Sequence, residues 1–490
     1  MSELEAQGQP TANFFGRIVP YKWLVAMAFV LGLFMDILDT TIVTVALPTL
    51  SAEFGADTNT IEWVVTGYLL SLALWIPASG WLGDRFGTKR CFIFALFSFT
   101  LASGLCGAAW NIESLIAFRV LQGVGGGMLT PVGTAMLYRA FPPIERPKAS
   151  SLLAMVTVLA PAIGPVLGGL LVEQASWRWI FYVNLPIGVI GLVFSAKYLV
   201  EHTEPTAGGF DLAGFLLSGV GLAGLLYGMA EGPVRGWTHP LVLTALVGAF
   251  VCFAALVKVE LAKPFPMLDL RLLADRSFRT PNLVSFASFG ALLGLLFLLP
   301  QFLQGPRGFS PFESGLATFP QAVGVLITAR YIGAKLYPTF GPRRLVMFGM
   351  AANAIITLCF VWVDLDTSAW TIRALMLARG LTLGFGFIPL QAAAFARIKP
   401  ESTGRASALS QAQRQAGAAV GVAVLATILI ERRDALVGAK TGQAAVEGLI
   451  QAYHQAFLGS VILAVLAFIA GSFIRDSDAA PTMRRPPSKS

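Results

Sequence analysis

The sequence predicts an all-α integral membrane protein, with two six-helix bundles and two further helices inserted between them, about fourteen spans in all. Three observations predict it. Of 490 residues, 56% are hydrophobic and only 13% charged, with a mean hydropathy of +0.70; a soluble domain carries about a quarter charged residues. Apolar runs of the roughly 20 residues needed to cross a bilayer recur along the whole chain. Lys and Arg sort to alternate ends of those runs.

Taken in order, the spans are expected near residues 22–48, 60–82, 91–110, 114–138, 148–173, 179–199, 211–231, 239–261, 281–304, 312–335, 344–363, 369–396, 405–430 and 451–474. With the N-terminus on the cytoplasmic side, 24 of the 35 Lys and Arg fall inside and 7 outside, while Arg119, Arg330, Arg379 and Arg414 lie within spans. Positive charge follows the cytoplasmic face. Both termini are therefore expected inside a cytoplasmic membrane, which requires an even number of crossings. The net charge of +8 is read as a topology signal, with no nucleic acid as partner. The first 20 residues are polar, and no cleavable signal is expected.

The repeat organises the chain. Shifting GWLGDRFGTKR (80–90) by 254 residues lays Leu82 on Leu336, Phe86 on Phe340, Gly87 on Gly341, Lys89 on Arg343 and Arg90 on Arg344. FRVLQGVGGGMLTP (118–131) is echoed by ARGLTLGFGFIP (378–389). The expected division is 1–200 for the first bundle, 201–280 for the two-helix insert and its linkers, 281–475 for the second bundle and 476–490 for a cytoplasmic tail. Duplicated halves are a common build for secondary transporters, and channels and membrane enzymes also use them.

Composition also excludes. Loops of roughly 20 residues at most leave no room for a soluble catalytic domain. GVGGG lacks the Lys and Ser/Thr of a phosphate loop, so ATP is not expected as a cofactor. Cys91, Cys106, Cys252 and Cys359 match neither a disulfide framework nor a metal knuckle, and His202, His239 and His454 share no metal spacing. Neither a metal nor another cofactor is expected.

The chemistry concentrates in the spans. Asp36 and Asp39, at i and i+3, share one face of the first helix, where an acid costs roughly 2.5–3.5 kcal/mol on insertion scales. Such residues mark ion or proton paths by default, and two neighbouring carboxyls titrate as a coupled unit. The alternative is a structural Asp39 bonded to Thr or backbone groups of a neighbouring helix. Arg119 in span four is the natural partner at similar depth; otherwise it snorkels outward. Thr40, Gln122, Arg379 and Arg414 are candidate cavity residues, and Arg330 lies close enough to an end to snorkel. In span five, Pro161, Gly164, Pro165, Gly168 and Gly169 predict a bent helix with a flat face for a moving partner. Trp63, Tyr68, Trp177, Trp179 and Tyr182 are assigned to interfacial belts.

LDTTIVTVALP (38–48), GWLGDRFGTKR (80–90), FRVLQGVGGG (118–127) and APAIGPVLGG (160–169) resemble, in order, the signature motifs of the major facilitator superfamily. WRWIFYVNLPIG (177–188) and PMLDLRLLADRSFRTPNL (266–283) look like its fourteen-helix drug:proton antiporter branch. The resemblance implies a major facilitator fold and proton-driven export of an amphiphilic compound by alternating access. It implies proton coupling at Asp39 and Arg119, and an antiporter motif at Pro161 to Gly169. It also implies a gating loop of Gly80, Asp84, Arg85, Gly87 and Arg90, with Asp84 facing a helix N-terminus in the other half. Two departures stand out: Pro338 replaces the second-half counterpart of Asp84, and Thr44 stands where the motif often has Asn. Asp36 is not a fixed part of the motif.

The leading expectation is a non-enzymatic exporter of drugs or toxic small molecules, with protons and membrane lipid as its other partners. An exporter of one natural product or lipid is the nearest rival. A lipid-modifying membrane enzyme needs a catalytic cluster at one face, which the sequence does not offer. No loop shows a docking element for an adaptor protein.

Overall fold

The structure, a computed structural model, describes residues 11–14, 17–205, 208–438 and 441–483. Lys440 and the Arg484, Arg485 and Lys489 of the expected tail lie outside the described residues. A short antiparallel pair, β1 (Thr11–Phe14) and β2 (Arg17–Pro20), precedes the first span. All other regular structure among the described residues is helical.

The helices are α1 (Tyr21–Phe54), α2 (Thr58–Phe86), α3 (Thr88–Gly107), α4 (Ile112–Ala140), α5 (Arg146–Gln174), and α6 (Trp179–Tyr182) running into α7 (Asn184–Tyr198). Then come α8 (Leu212–Arg235), α9 (Pro240–Ala262), α10 (Arg276–Gln304), α11 (Pro311–Thr318), α12 (Pro320–Tyr331), α13 (Tyr337–Cys359), α14 (Ala369–Ala394), α15 (Thr403–Leu436), α16 (Gln443–Ser472) and the short α17 (Ala480–Met483).

Thirteen helical stretches among the described residues are long and apolar enough to cross a membrane. One of them, Pro311–Trp362, has 52 residues. At 1.5 Å per residue it would reach about 78 Å, more than twice a hydrocarbon core of about 30 Å. It turns back at Gly341, whose φ of 74° and ψ of 166° are not helical. This stretch crosses twice, which restores fourteen crossings. Gly87, with φ 101°, makes the matching turn between α2 and α3. Only glycine adopts these dihedrals freely, which explains why both copies of the loop keep it.

The same repeat reveals caps that sequence reading missed. Glu201, just past α7, accepts from the backbone N–H of Lys89 at 3.0 Å and of Arg90 at 3.1 Å. Asp476, just past α16, accepts from Arg343 N–H at 2.9 Å. Each acid comes from the end of one helical set and satisfies orphan donors after the glycine turn of that set.

Helices α1 to α7 pack on one another, as do α10 to α16. The two sets meet where α15 lies on α2 and α4, and where α5 lies on α11, α12 and α14. The α8–α9 hairpin leans on α2 and α15. The largest core cluster gathers Phe29, Phe92, Phe99, Leu129 and Tyr138. Apolar side chains also face outward: Phe250 on α9 is 74% exposed, as expected of a surface solvated by lipid.

Both described ends of the chain lie at the same end of the bundle. Tyr21 Oη accepts from Val200 N–H at 3.1 Å, Lys22 pairs with Glu145 at 2.6 Å, and Arg397 Nη2 donates to Ser477 O at 2.9 Å. The number of crossings is therefore even.

Candidate functional site

At 1.5 Å per residue, Asp36 lies about 22 Å along α1 from Tyr21. It is 7% exposed. Its two oxygens accept from neutral hydroxyls: Tyr68 Oη to Oδ1 at 2.5 Å, and Thr130 Oγ1 to Oδ2 at 3.1 Å. Gly126 makes room for this, since a Cβ there would stand 3.0 Å from Asp36 Oδ1. Tyr68 is fully buried. It is part of this site and not of an interfacial belt, because its ring lies at mid-depth of α2. Trp177 is also buried, against Phe54 and Phe181; Trp63 and Trp179 are exposed, as expected of belt residues.

Asp39, one turn further, has a different shell. Arg119 Nη1 donates to Oδ2 at 2.5 Å. Gln122 Nε2 and Asn184 Nδ2 donate to Oδ1 at 2.9 and 3.0 Å. Arg119 also donates to Gln122 Oε1 at 2.7 Å and, through Nε, to Val64 O at 3.0 Å. Asn184 reaches Ser103 Oγ at 3.0 Å. Both ionic partners are fully buried, and hydrogen bonds to Asp39 Oδ1 and from Arg119 Nε help offset the cost of that burial, while Arg119 Nη2 has no hydrogen-bond partner among the described residues. Gln122 is thus a strut inside this network and not a free cavity wall.

The two aspartates share a face but no donor. Their link is indirect: the Arg119 guanidinium lies 4.2 Å from the Tyr68 ring centroid. Thr40, expected in the cavity, turns its hydroxyl back onto Asp36 O and Ile37 O, the usual habit of a mid-helix Thr. Thr130, Ser103 and Asn184 were missed by sequence reasoning, and Tyr68 was assigned to a belt. Their signal was a polar side chain in the middle of an apolar run.

The second set of helices holds two buried arginines. Arg379 Nη1 donates to Gln321 Oε1 at 2.5 Å, and Nη2 to Ala291 O at 3.5 Å. Arg414 donates from Nε to Gln411 Oε1 at 3.1 Å, from Nη2 to the same oxygen, and from Nη1 to Gln391 Oε1 at 3.3 Å. Neither forms an ion pair with a carboxylate of the described residues.

At the end carrying the 80–90 loop, the two sets are latched. Asp84 is buried beside the first turn of α15, where a Cβ on Gly404 would stand 2.8 Å from its Oδ1. A carboxylate is favoured at a helix N-terminus. Arg139 of α4 donates to Asp84 Oδ1 at 2.8 Å and to Pro400 O at 3.1 Å. Arg146 donates to the carbonyls of Phe395 and Ala396, and the Tyr138 and Phe395 rings stack at 4.2 Å. Gly80 abuts the Gly404 carbonyl. Arg85 is exposed, and Arg90 lies 3.6 Å from Glu201. A cavity of about 590 Å³ flanks this latch, lined by Tyr21, Thr88, Met136, Glu201 and Pro400 but by neither Asp36 nor Asp39.

In α5 the small-residue face points differently from the expectation. Gly164 and Gly168 let Thr41 and Ile42 of α1 approach, so the flat face packs within its own set. Gly169 has no neighbour within 4 Å of a Cβ position. The proline edge meets the other set: Pro165 and Val166 face Gly315 of α11. Despite Pro161 and Pro165, α5 is one helix from Arg146 to Gln174.

Comparisons with known proteins bear on these elements. A family model described as Major Facilitator Superfamily matches residues 29–422. The chain is 34% identical over 404 residues to the multidrug resistance protein B homolog of Mycobacterium tuberculosis (strain ATCC 25618 / H37Rv), covering 82% of this chain and 75% of that protein. It is 34% identical over 414 residues to the putative multidrug resistance protein MdtD of Cronobacter sakazakii, covering 83% and 85%. Its fold resembles the human organic anion transporter MFSD10 (TETRAN), with a TM-score of 0.65 at 17% identity over 92% of this chain and 100% of that one. At that identity the likeness shows the fold alone.

Proposed function

Because the chain belongs to the Major Facilitator Superfamily, we propose that it exports amphiphilic drugs or toxic small molecules across the cytoplasmic membrane, driven by proton entry. Both termini and the Asp84 latch face the cytoplasm in this reading, following the excess of Lys and Arg at that end. Residues 1–200 and 281–475 are the bodies that rock, with 201–280 as the insert. Relatives named for multidrug resistance support the export reading.

The observation that carries proton coupling is the unequal dressing of the two aspartates. Protonating Asp39 dissolves its ion pair with Arg119. Protonating Asp36 dissolves none, since Tyr68 and Thr130 are neutral. Asp36 is the carrier, and Arg119 over the Tyr68 ring senses its charge. With the latch closed, Asp36 loads from outside. Proton entry then loosens the contacts of α1 with α4 and lets the latch exchange. Arg139 and Asp84 are the gating contacts, because they join the halves directly.

The test is proton flux in proteoliposomes with a pH dye inside. A panel of amphiphilic dyes added to wild type should drive proton movement. Asp36→Asn should abolish it while dye binding persists. Flux in Asp36→Asn equal to wild type would remove Asp36 from the mechanism.

A further inference from the structure

The charge balance between the two sets of helices points to a substrate class. We infer that the site between the halves takes an amphiphilic anion, an apolar body with one anionic head, and that Arg414 is the counter-ion for that head. The inference rests on the transporter reading above and narrows its substrate.

Arg414 lies about 16 Å along α15 from Thr403, near mid-membrane, on the helix that packs against α2 and α4. It is 8% exposed. Its guanidinium hydrogen-bonds the carboxamide oxygens of Gln411 and Gln391 and faces the Phe289 ring, 5.7 Å away. Phe289 and Gln391 also line a narrow cavity whose other walls include Ala154 and Val158 of α5 and Phe387 of α14. A cation therefore stands at the rim of an apolar space between the halves.

No acid of the described residues competes for it. Asp39 is ion-paired with Arg119, and Asp36 is held away by its hydrogen bonds with Tyr68 and Thr130. A guanidinium taken from water into such a site is costly unless a counter-charge arrives. An anionic head supplies that charge, with a charge-assisted hydrogen bond of about 1.5–3 kcal/mol. A cationic head of the same size meets repulsion, and a neutral one leaves the cost in place. The apolar walls take the tail. In this conformation the cavity holds about 20 Å³, room for a single water, so the ligand enters as the halves part, with its head leading to Arg414.

The experiment compares decanesulfonate with decyltrimethylammonium, below their micelle concentrations, on the full chain in phosphatidylcholine nanodiscs. The sulfonate stays charged at all working pH values. Binding is read by intrinsic tryptophan fluorescence. Wild type should prefer the sulfonate by about tenfold or more. Arg414→Gln should erase the preference, and Arg414→Lys should retain part of it. Equal or reversed preference in wild type, or an unchanged preference in Arg414→Gln, overturns the inference. Loss of sulfonate binding when phosphatidylglycerol replaces half the phosphatidylcholine assigns the site to a lipid head and overturns it as a solute site. Proton-driven transport of the ammonium but not of the sulfonate sinks the inference and leaves the transporter reading intact. Transport of neither probe by a wild type that still prefers the sulfonate sinks the transporter reading and leaves the anion site.

Discussion

Arg119 and Arg379 occupy echoed positions in the two halves, in FRVLQG and in ARGLTL, and both are buried. Arg119 has a carboxylate at 2.5 Å and two further acceptors, Val64 O and Gln122 Oε1. Arg379 has a glutamine oxygen and a distant backbone carbonyl. The 254-residue shift that aligns the loops lays Asp39 on Leu293, and with that change the second half loses its counter-ion. The same scaffold thus carries a charge-balanced network in one half and uncompensated positive charge in the other. Duplication preserves backbone and caps, while the chemistry of each copy diverges by single side chains.

The largest effect expected from this difference is Asp39→Asn. It leaves Arg119 buried without a partner and should cost about 3–5 kcal/mol, read as a lower unfolding midpoint in detergent. Arg379→Met removes a charge that has no partner, so its midpoint should stay level or rise. A fall as large as that of Asp39→Asn would break the comparison. The double variant Asp39→Leu/Arg119→Leu sharpens it, since apolar replacement of a buried pair is often neutral; most of the stability should return while proton flux does not.

Next in size is Tyr68→Phe. It strips Asp36 Oδ1 of its donor at a cost of about 1–3 kcal/mol, and the pH profile of proton-coupled transport should move relative to wild type. An unmoved profile would show that Tyr68 is only a packing residue. The smallest effects belong to the feature that the halves share. Glu201→Gln and Asp476→Asn each weaken a cap worth about 0.5–2 kcal/mol, and thermal scans should show similar small losses for both. A loss confined to Glu201→Gln would mean that the caps are not equivalent.

Much of this was legible in the sequence. Apolar runs of bilayer length gave fourteen crossings, and the sorted Lys and Arg gave their parity. The Gly87–Gly341 correspondence located both turns, because a positive φ tolerates little else. The partnership of Asp39 with Arg119 was among the alternatives, since a buried guanidinium needs a counter-charge. What the sequence hid was side-chain direction. Tyr68 read as an interfacial anchor because aromatic residues abound there, and nothing in its neighbours tells which way the ring points. Thr40 read as a cavity residue, yet its hydroxyl found a carbonyl on its own helix. The α5 glycines read as facing a moving partner, but α1 is the neighbour that needs their space. Glu201 and Asp476 stay hidden to pattern reading because each caps a helix more than a hundred positions away.

The α8–α9 hairpin has a mechanical consequence. Along α2 it is stitched by three aromatic contacts, Trp63 with Tyr227, Trp75 with Phe215 and Trp81 with Phe210, and Gly219 backs onto Leu74. Toward α15 it offers one hydrogen bond, from Trp237 Nε1 to Thr427 Oγ1 at 3.2 Å. Since α8 packs along both α2 and α15, the hairpin spans the seam between the two sets, with its aromatic contacts on the α2 side. In the rocking cycle proposed above, any movement between α2 and α15 has to pass through this bridge, so trimming the Trp237 indole is expected to change the rate of transport.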